Sequence, residues 1–187
     1  MNDLKALLNK HANQTVFRTA DIADLLGRPV SKAVNFYIHH YIKTGQLIRL
    51  SKGLYTFTPD YNREELGNKF RVPSYVSFTT VLVEAGLIFQ PYPTITLAAA
   101  RSEKKEIAGQ KFIYRKLKDE SLLNAEGLVA EKGVMKATPE RALLDWWYLD
   151  GEQTVDRPED LDWEKMKDLN QDVYKSRRLA SYIKKGA

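Results

Sequence analysis

Residues 19–57 constrain the chain more than any other stretch, because they place two helical patterns, a sharp break and a basic hairpin in immediate succession. Thr19 is of a type that caps helix N-termini, and Asp21 and Asp24 sit in the first turns, where the helix dipole favours anions. Ile22, Leu25 and Leu26 line one face and Gly27 ends the run. Arg28 and Pro29 form the break, since proline fixes φ and cannot donate to a continuing helix. A second, longer helix is predicted from near Ser31 to Thr44, with Gly45 as its stop. Val30, Val34, Tyr37, Ile38, Tyr41 and Ile42 recur with helical spacing and are expected to be buried. The opposite face carries Lys32, Asn35, Phe36, His39 and Lys43, with Ser31 at its edge.

Residues 46–50 and 54–57 are β-prone runs separated by Ser51, Lys52 and Gly53, a short hairpin whose glycine is free to take positive φ. Taken singly, such a helix is an ordinary core helix with a solvated outer face, and such a hairpin is a solubilising turn. Their order is that of a winged helix-turn-helix, which points to DNA. On that reading Ser31, Lys32, Asn35 and His39 face base edges, where asparagine matches adenine, lysine matches guanine and an apolar ring can touch a thymine methyl. Arg28, Arg49 and Lys52 are expected to hold phosphates, so that the hairpin supplies affinity and register while the helix supplies specificity.

Charge supports this division. The chain has 187 residues and a formal net charge of +5. Residues 1–60 hold eight Lys and Arg against four Asp and Glu, and the remainder holds 21 against 20. A nucleic-acid partner is expected for the first third and a different role for the rest. The absence of cysteine excludes disulfides, cysteine–zinc sites and a thiol nucleophile, and fits a reducing, cytoplasmic setting. No signal pattern opens the sequence and no apolar run is long enough to span a bilayer, so a membrane partner is not expected.

In chain order, residues 2–11 read as a first helix with Leu4, Leu7 and Leu8 inward, followed by a short extended piece at Val16 and Phe17 beside the wing. Residues 61–70 read as a more polar linking helix. From Pro73 a second unit begins, with a helix capped by Ser77 or Thr79 and ended by Gly86. Strands are predicted at 94–98, 106–107 and 111–117, with a basic rim of Lys111, Tyr114, Lys116 and Lys118, and a short strand at 133–136. The strongest helix signal follows: Thr138 as cap, Pro139 in the first turn, then Ala142, Leu143, Trp146, Trp147 and Leu149. A charged loop over 150–162 leads to one last helix over 163–185. The fold class expected is α+β, with a winged helix-turn-helix over residues 1–60 and a mixed α/β domain over 61–187.

The segments Lys52-Gly53-Leu54-Tyr55, Pro73-Ser74-Tyr75-Val76-Ser77, Gly86-Leu87-Ile88 and Ala137-Thr138-Pro139-Glu140-Arg141-Ala142-Leu143-Leu144-Asp145 occur in an order that resembles the AbiEi family of antitoxins. Ala85 and the Trp146-Trp147 pair depart from that pattern. The resemblance implies an N-terminal winged helix on the promoter of its own operon, with inverted repeats expected in that double-stranded DNA. It also implies a C-terminal domain that counteracts a nucleotidyltransferase-like toxin without forming a stable complex with it.

Catalytic signals are sparse. No phosphate-cradling glycine run is present, and neither is the glycine-serine and carboxylate set of a nucleotidyltransferase. His39 and His40 are adjacent and so point about 100° apart on a helix, unlike a zinc-binding i, i+4 pair; His39 is expected on the outer face and His40 partly buried. Asp60, Glu103 and Lys105 loosely mimic a metal-dependent nuclease, with 102–105 read as an exposed turn. The expectation is no catalytic residue, no metal and no cofactor. A winged domain that binds protein, or a regulator without a toxin partner, is the alternative. The basic residues at 111–118 are expected to serve antitoxicity or to supplement DNA binding.

Overall fold

A computed structural model describes residues 14–90 and 92–186; the helix expected at 2–11 lies outside them. The described residues form a mixed α+β structure with a three-stranded and a six-stranded sheet.

The smaller sheet has the order β1-β3-β2, all antiparallel, from β1 (Phe17–Arg18), β2 (Ile48–Ser51) and β3 (Leu54–Thr56). Helices α1 (Thr19–Leu25) and α2 (Lys32–Lys43) lie between β1 and β2 in the chain. Phe17, Ile22, Ala23, Leu25, Val34, Ile38, Leu47 and Tyr55 make their shared core. Thr19 is the first helical residue of α1 and not its cap; the Asp21 carboxylate instead accepts the Arg18 N–H at 2.7 Å. Both helices close with paired carbonyl bonds, Arg28 N–H to Ala23 O at 3.0 Å and Gln46 N–H to Tyr41 O at 2.9 Å. Val30 departs from its expected burial. It precedes the N-cap Ser31, lies outside the helix and is 59% exposed.

The larger sheet has the order β6-β7-β5-β4-β9-β8. Its strands are β4 (Ser74–Val76), β5 (Ile95–Ala99), β6 (Glu103–Ile107), β7 (Gln110–Lys116), β8 (Leu128–Glu131) and β9 (Val134–Ala137). β4 pairs parallel with β9, and β5 parallel with β7; the other pairings are antiparallel. One face is covered by α3 (Arg63–Phe70), whose Gly67 abuts Phe112 and Leu97. The other receives α4 (Thr79–Glu84) and α6 (Pro139–Asp150), with the short α5 (Asp119–Leu122) beside them. Neither Ser77 nor Thr79 caps α4, whose N-cap is Phe78. Tyr114, expected in a basic rim, is buried and donates its hydroxyl proton to Gly67 O at 2.9 Å, whereas Lys111, Lys116 and Lys118 are exposed.

The segment expected as one terminal helix is broken into α7 (Trp163–Leu169), a π-turn (Asn170–Tyr174) and α8 (Arg177–Gly186). Lys175 turns left-handed at φ 51°. The Asn170 side-chain amide fills the gap, donating to Ser176 O and accepting its N–H. The break carries the Tyr174 hydroxyl to the Asp145 carboxylate at 2.6 Å.

Tyr75 and Ser77 of the β4 segment also donate to Asp145, at 3.1 and 2.7 Å. Arg141, one turn earlier on α6, donates to Tyr75 Oη and to the Ser121 and Glu126 carbonyls. Two of the segments that carry the family resemblance therefore meet in one buried polar cluster. Burial pushes the Asp145 carboxyl up from its ordinary range while Arg141 and the three hydroxyls pull it back.

Candidate nucleic-acid interface

The outward face of α2 follows from helical spacing. Val34 and Ile38 are buried, and successive residues turn by about 100°, which sets Lys32, Phe36, His39 and Lys43 on one exposed stripe at i, i+4, i+7 and i+11. Ser31 starts the helix: its hydroxyl accepts the Val34 N–H at 3.4 Å, which leaves its own proton to donate. His40, expected to be partly buried, is exposed beside Tyr41.

The hairpin is set against the flank of α2. Gly53, at φ 78°, makes the turn, and its carbonyl accepts the Thr19 N–H at 3.2 Å, tying the turn to the start of α1. Leu50 is the extra residue of a bulge between Arg49 and Ser51. Asn35 and His39 of α2, Arg49 and Lys52 of the hairpin, and Thr19 and Tyr55 line one concavity of about 330 Å³. Arg49 Nε donates to Ser51 O at 3.4 Å, and Lys52 is exposed at the turn.

Four of the seven residues expected to contact DNA are thus brought together in this concavity. Lys32 stands on the adjacent stripe, Ser31 at the helix start, and Arg28 on the far side, its guanidinium 5.3 Å from the centre of the Tyr37 ring. Thr19 was read from sequence as a cap and missed as a lining residue. The signal that could have placed it is Asp21, which supplies the capping contact in its stead.

Glu103 lies on β6 and not in a turn, and its carboxylate is paired with Arg71. Among the described residues no group of three or more His, Asp or Glu side chains is placed to hold a metal ion, and no helix is long and apolar enough to cross a membrane.

Residues 5–58 match the family model described as transcriptional regulator, AbiEi antitoxin. The match ends two residues beyond β3 and so covers the smaller sheet with α1 and α2. No curated protein matches the chain.

Proposed function

We propose that the protein is a DNA-binding transcriptional regulator and antitoxin. In this reading, residues 1–60 act as a winged helix-turn-helix that represses its own toxin–antitoxin operon, and residues 61–187 counteract a nucleotidyltransferase-like toxin. It is a binding protein and not an enzyme. The observation that carries the reading is the concavity in which Asn35 and His39 of α2 converge with Arg49 and Lys52 of the hairpin. A helix and a β-ribbon presenting amide, imidazole, guanidinium and ammonium groups around one groove match the alternation of base edges and phosphates on duplex DNA. The family match over residues 5–58 agrees with the regulatory part of the reading.

The test is a titration of the whole protein against duplex DNA from upstream of its own gene, at two salt concentrations and beside a scrambled duplex. Specific binding that weakens steeply with salt is expected, because neutralising phosphates releases counterions. Lys52→Ala should weaken binding to all sequences and lower the salt slope by about one, whereas Asn35→Ala should cost about 1–3 kcal/mol and relax preference at one position. Equal affinity for the scrambled duplex would sink the regulatory reading. Phe36, 71% exposed on the same helix, favours a protein-binding surface as the second reading. Salt-insensitive capture of a protein partner through that ring would support it.

A further inference from the structure

We propose that Phe36 reads the 5-methyl group of a thymine in the major groove, an inference that rests on the DNA-binding reading above. Phe36 stands on the crest of the exposed stripe of α2, almost diametrically opposite the buried Val34 and Ile38. Its ring is 71% exposed, and its ring neighbour among the described residues is Tyr37, edge-on at a centroid distance of 6.3 Å. Lys32 and Lys43 flank it on the stripe, so the strip of surface around it suits a polyanion more than an apolar protein partner.

Within such a groove a phenyl ring has one apolar complement. Guanine, adenine and cytosine present acceptors and donors on the groove floor, and thymine alone adds a methyl group. Asn35 occupies the flank facing the hairpin, about 100° round the helix from Phe36, so an amide contact and an apolar contact would fall on different bases. The helix thereby divides its work: Asn35 and His39 in the concavity, Phe36 on the crest, and Lys32 and Lys43 beside it on the same stripe.

The experiment uses the full-length protein and a pool of duplexes with a random central segment, from which the preferred site is selected. Each thymine of that site is then replaced singly by deoxyuridine, which deletes the methyl and keeps every hydrogen-bonding edge. One replacement should weaken wild-type binding about three- to fivefold, the worth of one apolar carbon. Phe36→Ala should bind the parent site with a similar loss and be indifferent to that same replacement. Because Phe36 is exposed, an unchanged melting temperature and an unchanged salt slope will show that the variant is folded and still docks on DNA. Selection of a site in which no deoxyuridine replacement distinguishes wild type from Phe36→Ala would overturn this inference and leave the DNA-binding reading intact. Failure to enrich any site, with binding indifferent to sequence and salt, would overturn both.

Discussion

Arg141 and Asp145 sit one helical turn apart on α6 with neither side chain exposed, Arg141 Nε 3.6 Å from Asp145 Oδ1. A buried pair of this kind is a weak source of net stability, yet removing one partner strands the other. Arg141→Ala should therefore destabilise the protein by about 3–5 kcal/mol in urea unfolding. A loss no larger than that of an exposed alanine substitution would mean that the cluster is not holding β4 to α6. Glu64 shows a different response. Lys136 Nζ lies 2.7 Å from both the Glu64 and the Glu84 carboxylates, and burial together with Glu84 pushes Glu64 up to about 7 from 4.5. The folded state thus keeps a proton that the unfolded chain gives up first, so this group's contribution to stability falls as pH rises from about 4.5 to about 7. Glu64→Gln cannot titrate. Its melting temperature relative to wild type should rise between about pH 4.5 and pH 8, and a constant difference would contradict the assignment.

At the scale of elements, α3 was read from sequence as a polar link, and its packing shows why that pattern misleads. Glu65, Leu66 and Gly67 are buried, and a Cβ built on Gly67 would lie 2.7 Å from the Phe112 ring. Phe112 is itself buried under the helix and has little room to move. Gly67→Ala should lower stability by a net ~1–2 kcal/mol despite alanine's higher helix propensity. An unchanged or raised urea midpoint would show that the sheet can yield. Among the elements that sequence revealed, α1, α2, the hairpin and α6 carry the clearest local signals: a proline break, a glycine stop, a threonine cap. Strand β4 is three residues long and carried no such signal, since its partners β5 and β9 lie far along the chain, whereas β8 pairs with the next strand β9 across a turn at Lys132 and Gly133 that the sequence reading passed over. The candidate interface was legible in residue type and facing; the convergence of Asn35 and His39 with Arg49 and Lys52 depends on the tertiary set of the hairpin.

At the scale of the molecule, the two sheets are joined through Glu65. Its carboxylate accepts the Thr15 N–H at 2.8 Å, the Thr15 hydroxyl at 2.6 Å and the Val16 N–H at 3.1 Å, and it pairs with Lys69 at 3.0 Å. Val16 and Leu54 then pack into the core of the larger sheet. A carboxylate with no exposed surface that satisfies two backbone donors of the preceding segment makes the orientation of β1, and of the hairpin paired beside it, depend on α3. Glu65→Ala leaves the buried Val16 N–H without an acceptor, a loss of about 1–3 kcal/mol for a neutral group so stranded, and frees the part-buried Thr15 N–H as well. The loss should be local in consequence. Hydrogen exchange followed by mass spectrometry should show peptides from α2 and the hairpin opening faster in Glu65→Ala, while peptides from β5 and β7 change little. Equal acceleration in both regions would show instead that the molecule opens only as a whole, with Glu65 adding to a single shared stability.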